Sequence, residues 1–230
     1  MGPGAHPSWN VAQRLRLTPE TVDETVDEVR ALLRERGRSA CTWEVGSSAT
    51  PADLVERLRA RGCVDDRDPY AVAMLLTSEP PRPADAIEAR PVRSFEEFRT
   101  AQRVAAEAFG GGVGMDDDEQ LRARYDDALS STRGKTFVAL LDGEIVASAS
   151  STYVEGAVTL NGGAVLPHAR GRGAYRALVA VRWTDAVERG TPALVTQAGA
   201  MSKPILERLG FRSVAEITIL LDEFGPALSN

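Results

Sequence analysis

Two periods of apolar residues alternate along this chain, and their succession lays out its elements. Val22, Val26, Val29 and Leu33 recur at helical spacing and predict a helix over residues 19–36, with Thr18 as N-cap, Pro19 in the first turn and Gly37 as stop. A short strand over 41–45, a helix over 51–61 between Thr50 and Gly62, and a strand over 70–76 follow. The segment Ser78-Glu79-Pro80-Pro81-Arg82-Pro83-Ala84 then breaks the pattern. Its three prolines in four residues fit neither a helix interior nor a central strand, so 78–84 reads as a linker between a small and a larger part.

Beyond the linker the pattern predicts a strand over 87–92 and a helix over 95–109 with Ser94 as N-cap. A glycine-rich loop, 110–114, leads to a second helix opened by Asp116, Asp117 and Asp118. Acids suit a helix N-terminus, and capping accounts for them better than a metal site does. Strands over 136–141 and 144–153 meet at Asp142-Gly143, the strongest short hairpin signal, and a third strand covers 158–166. A helix over 173–189, a strand over 193–196, a helix over 203–209 ending at Gly210 and a strand over 214–221 complete the order. That succession is an α+β layout with a mixed, mostly antiparallel sheet flanked by helices, beside a smaller α/β N-terminal subdomain.

Composition narrows the function classes. With 43% hydrophobic residues in 230, the chain can bury a core, and it has no run of 18 apolar residues. The start, rich in Gly and Pro and without a hydrophobic stretch, reads as part of a disordered tail over 1–17 and not as a signal peptide, so a cytoplasmic location is the expectation. A formal charge of -6 argues against non-specific nucleic-acid binding, and nothing points to a membrane. Cys41 and Cys63 have neither a CxxC spacing nor a histidine nearby. They read as buried small hydrophobes, and no metal is expected.

The most informative stretch is Val165-Leu166-Pro167-His168-Ala169-Arg170-Gly171-Arg172-Gly173-Ala174-Tyr175, where a strand feeds a basic, glycine-bearing turn and then an amphipathic helix. Backbone N–H groups at such a helix start lack partners, and the helix dipole there favours negative charge, so phosphate is the fitting ligand. Arg170 and Arg172 add cations to it. The stretch resembles the pyrophosphate loop of the GNAT family of acyl-CoA-dependent N-acetyltransferases, whose pattern runs Arg/Gln-x-x-Gly-x-Gly/Ala. Where that pattern ends in Gly or Ala, this chain has Tyr175. The resemblance extends over roughly 87–222, includes Gly162-Gly163 as a bulge site before the loop, and takes in a last helix ending at Gly210-Phe211. Leu54-Val55-Glu56-Arg57-Leu58 also echoes Ile205-Leu206-Glu207-Arg208-Leu209, which suggests that 18–77 is a degenerate, truncated GNAT-like half and 85–224 the acetyltransferase domain.

The resemblance implies acetyl-CoA as co-substrate and a small-molecule or peptide amine as acceptor. It implies that Gly163, Ala164 and Val165 offer backbone to the pantetheine arm, and that Arg170, Gly171, Arg172, Gly173, Ala174 and Tyr175 hold the pyrophosphate. The acceptor would bind between the 110–114 loop and the 153–158 hairpin. Many family members carry a tyrosine, as thiol acid, where this chain has Leu206; Ser202 or Tyr153 could order a water instead, and Glu155 could serve as base. Asn161 could hold a water, and His168 precedes the phosphate loop. Without such groups the amine attacks directly and water takes the proton. Other readings are weaker. A dinucleotide fold lacks the third glycine, Arg176 standing in its place, and a P-loop at Gly134-Lys135-Thr136 lacks its first glycine at Leu129. A catalytically silent acyl-CoA-binding regulatory or scaffold module stays open as the non-enzymatic alternative.

Overall fold

The computed structural model describes residues 7, 10–83, 86–109 and 117–225. The glycine-rich loop 110–114, Asp116 and Ala84 lie outside them, as does most of the start of the chain. The element order is β1 (Val11–Ala12), α1 (Val22–Arg34), β2 (Ala40–Gly46), α2 (Leu54–Ala60), β3 (Val64–Leu76), β4 (Ile87–Pro91), α3 (Phe95–Ala108), α4 (Asp118–Ser130), β5 (Gly134–Leu141), β6 (Glu144–Val154), β7 (Ala157–Val165), α5 (Ala174–Glu188), β8 (Leu194–Ala198), α6 (Lys203–Arg208) and β9 (Arg212–Glu223). The chain forms two compact units. The first comprises residues 1–73, 197–204 and 213–230, and the second comprises 74–196 and 205–212. The division therefore falls inside β3 rather than at the proline-rich segment, and the last strand returns to the first unit.

In the first unit β2 pairs with β1 in parallel and with β9 antiparallel, Thr42 opposing Leu221. Leu15, Val22, Val26, Leu33, Trp43, Leu54, Leu58 and Leu220 form its core. The stretch from Asn10 to Leu17, expected as tail, is built in: Val11 pairs with Thr42 and Leu15 is buried. Both helices start later than their cap signals suggest. Thr18 and Thr21 bond each other in a turn, so α1 begins at Val22. The Thr50 hydroxyl donates to the Leu17 carbonyl, which leaves Asp53 as the N-cap of α2. Cys41 and Cys63 are free and buried, and burial holds both thiols protonated, at about 12 and about 11. β3 starts at Val64, ahead of the expected Tyr70, because its first residues are charged and exposed and show no apolar alternation.

In the second unit β4, β5, β6 and β7 form an antiparallel meander, and β8 joins β7 in parallel. Alternate β5 residues face opposite sides. Phe137, Ala139 and Leu141 pack with Ala174, Ala177 and Leu178 of α5, whereas Val138 and Leu140 pack with Ala101 of α3. The Ser148 hydroxyl donates to the Ala101 carbonyl, a second tie to α3. The hairpin turn is as the sequence requires: Asp142 and Gly143 both have positive φ, 52° and 85°. Ser94 caps α3 by accepting from the Glu97 N–H, and Asp117 caps α4 by accepting from Gln120.

The echo between the two short helices resolves differently from its letters. Cys63 N–H donates to Leu58 carbonyl after Gly62, and Phe211 N–H donates to Leu206 carbonyl after Gly210. Both are left-handed glycine stops of one kind. Matching the stops equates Leu58 with Leu206, both fully buried, whereas the five-residue echo equates Leu58 with Leu209.

Candidate functional site

The site is assembled where β7 ends. Ser148 opposes Ala164 and Ser150 opposes Asn161, so β7 carries one extra residue across from Ala149, a bulge at Gly162-Gly163. The two glycines serve different purposes. Gly162 has φ +55°, a left-handed conformation that side chains disfavour. At Gly163 the constraint is space: an added Cβ would sit 2.6 Å from Cε2 of Tyr175. Past the bulge Ala164 and Val165 stay paired with β6, whereas the pairing with β8 has already ended. β8 pairs only with Val158 and Thr159, and the Thr196 hydroxyl donates to the Leu160 carbonyl.

Beyond Val165 the Leu166 N–H still donates to Val146, and Pro167–Ala169 make one 3-10 turn. Gly171 and Gly173 take positive φ, 76° and 95°, and Gly173 is the N-cap of α5. Arg170 and Arg172 spend their N–H groups on the Pro167 and Ala169 carbonyls. The first helical bond runs from Ala177 N–H to Gly173 carbonyl. Among the described residues no protein acceptor meets the N–H groups of Gly173, Ala174, Tyr175 and Arg176. Arg170, Arg172 and Arg176, in the same stretch of chain, are exposed, and no described carboxylate pairs with them. The Arg170 Nε donates to the Val165 carbonyl at 3.3 Å, which turns this cation back toward the strand end. Free amides, an αL turn and unpaired cations make a fitting receptor for a diphosphate.

The helix behind the loop departs from the amphipathic reading. On α5 the buried set includes Arg182 and Asp185 beside Ala177, Leu178, Val179 and Ala186. Asp185 accepts from Lys135 at 2.5 Å and from the Tyr153 phenol at 2.8 Å, and Arg189 adds a bond at 3.3 Å while covering the Tyr153 ring. Burial pushes the Asp185 carboxyl upward, but the bonds from Lys135 and Tyr153 and the nearby cations outweigh it, and the net shift is downward. Burial and the Asp185 charge raise the Tyr153 phenol well above its usual range. The sequence gives no signal for this cluster, since Asp185 and Arg189 read as solvated helix residues.

The predicted loop residues come together, and the predicted proton carriers do not join them. Tyr153 is held at Asp185, three turns along α5 from Ala174 and so roughly 16 Å from the loop. Glu155 is exposed in the turn after β6. Ser202 belongs to the first unit and donates to the Gly199 carbonyl at 3.4 Å. His168 is exposed in the 3-10 turn, and Asn161 donates to the Thr152 hydroxyl. Leu206 is buried.

A meander followed by a bulged strand, a basic glycine turn and a helix is the order that the GNAT resemblance implies. The model of the acetyltransferase (GNAT) family matches residues 96–211, half of the chain. The chain belongs to the GNAT acetyltransferase family. A GCN5-related N-acetyltransferase from Kribbella flavida is 21% identical with TM-score 0.69, over 96% of this chain and 84% of that one. One from Sphaerobacter thermophilus is 17% identical with TM-score 0.68, over 92% and 71%. A tandem GNAT protein of the clavulanic acid biosynthesis pathway is 15% identical with TM-score 0.62, over 90% and 70%. At these identities the likeness is one of fold. Among curated proteins none matches the sequence.

Proposed function

We propose that the protein transfers an acetyl group from acetyl-CoA to a primary amine of a small molecule or peptide. The observation that carries the reading is the row of unpartnered amides at Gly173–Arg176 beneath Arg170 and Arg172, one turn beyond a bulged strand edge. When bound, the thioester supplies an activated acyl carbon: the amine nitrogen bonds to it, the C–S bond breaks, and CoA leaves as the thiol. This chain's residues bind and orient. The helix-start amides and the two arginines hold the diphosphate, while the Gly163, Ala164 and Val165 backbone lines the pantetheine arm and gives an N–H to the developing oxyanion. With Tyr153 engaged by Asp185 and Leu206 apolar, the amine loses its proton to water, and solvent protonates the departing thiolate to the thiol.

Leu206 also favours a second reading, an acyl-CoA-binding module without turnover, because it replaces the phenol that many family members use. Two measurements test the pair. Calorimetric titration with CoA should show binding that Arg170→Ala with Arg172→Ala weakens roughly 100-fold, given about 1.5–3 kcal/mol for each charge-assisted bond. Unchanged affinity would remove both readings. An amine panel followed by free-thiol release separates them: turnover with any amine eliminates the silent module, and binding without turnover eliminates the transferase.

A further inference from the structure

Two side chains of α5 have no part in the diphosphate receptor: that of Tyr175 reaches the β7 bulge, and that of Arg182 reaches β6 across from it. Tyr175 lays its ring on Gly163, so closely that a methyl group there would overlap it. Arg182, two helical turns later and on the same face, sends Nη1 to the Ser150 carbonyl at 3.3 Å. Ser150 is the β6 residue at the register shift, opposite Asn161. The bulge leaves Ala149 without a counterpart on β7, and Arg182 ties the helix to β6 at the next residue.

Arg182 is an expensive means of doing so. It is 1% exposed, and its acceptors are only carbonyls, those of Leu178 and Ser150. Its Nη2 has no partner, the buried Ser151 hydroxyl has none either, and no described carboxylate balances the charge. Burial pushes the guanidinium down to about 10. An apolar side chain would fill the space without the desolvation cost, so what arginine adds is a donor aimed at one carbonyl. Tyr175 is equally specific, since the family pattern has Gly or Ala there and its ring explains why residue 163 must be glycine.

We propose that Tyr175 and Arg182 are positioning residues that strap the bulged β6–β7 pair, Tyr175 at Gly163 and Arg182 at Ser150, to the helix that follows the glycine turn. The inference rests on the acetyl-CoA reading for its purpose: diphosphate receptor and strand edge are held as one piece, at the spacing a CoA molecule needs. The strap itself exists in the free protein and is measured there.

Hydrogen exchange of the 157–166 segment in the CoA-free protein is the first readout. Tyr175→Ala or Arg182→Met should speed its exchange about tenfold, with exchange in β5 unchanged. Tyr175→Phe, which keeps the ring, should preserve the protection. The second readout is a cycle on CoA affinity. Gly163→Ala should weaken binding about tenfold when Tyr175 is present and less than twofold in a Tyr175→Ala background, because the overlap is gone. Exchange that does not move in either variant, or an equal Gly163→Ala effect in both backgrounds, overturns the strap. A wild-type protein that fails to bind CoA overturns the acetyl-CoA reading instead and leaves the exchange result standing.

Discussion

Each unit of this protein sets an arginine of a helix against a strand, half-buried in the first and fully buried in the second, and the two are treated in opposite ways. In the first unit Arg30 of α1 meets Asp222 of β9 through two nitrogens, at 2.7 Å from Nη2 and 3.0 Å from Nε, and the carboxylate also accepts from Trp43 Nε1. The charge is neutralised and every partner is satisfied. In the second unit Arg182 of α5 has carbonyls only, with one nitrogen unpartnered. An arginine paired with a buried carboxylate holds an element in place. An unbalanced one sits where the chain needs a backbone group held, at the bulge beside the proposed thioester track.

Breaking the paired site should have the largest effect. Asp222→Ala strands Arg30 and Trp43, and urea unfolding should show a loss of about 3–5 kcal/mol. A loss below about 1 kcal/mol would mean that the pair adds nothing over its surroundings. Next is Asp185→Asn in the second unit, which leaves Lys135 and Arg189 without a carboxylate and should cost about 2 kcal/mol. This effect depends on pH. The folded carboxyl titrates below its unfolded value, so its contribution is complete above about pH 4 and fades as pH falls through the lower folded pKa. The Asp185→Asn variant has no such titration, and its stability profile should be flatter on the acid side. Tyr153→Phe keeps the ring beneath Arg189 and removes one bond to Asp185, for a loss of about 1 kcal/mol in thermal unfolding. Arg182→Met should be the mildest in global stability, within about 1 kcal/mol of wild type, because the lost carbonyl bonds are offset by relief of desolvation. A loss as large as that of Asp222→Ala would make the two arginines alike and erase the contrast.

Features encoded by near neighbours were legible in the sequence. Asp142-Gly143, Ser94 and Asp117 each act within a few residues of themselves, so their residue types suffice. The glycine turn before α5 was legible for the same reason. Features that depend on distant partners were not. Nothing in the letters of α5 separates Arg182 and Asp185 from its exposed residues, because their partners, Ser150, Lys135 and Tyr153, arrive from other strands. The cap signals at Thr18 and Thr50 were genuine residue types in the wrong service, each drawn into a local or tertiary bond that delayed its helix. The proton carriers show the same limit: Tyr153 has the right chemistry and is committed elsewhere by Asp185.

The pairing of β2 with β9 has a consequence for the order of events on the ribosome. The partner of Thr42 is Leu221, so the nascent chain must lengthen by roughly 180 residues before that ladder can close, on the order of ten to forty seconds at cellular synthesis speeds. The intervening meander emerges complete in that interval and can mature first. A strand bearing Trp43 meanwhile waits with an uncovered edge, which makes early translation the moment when chaperones would matter most to this polypeptide.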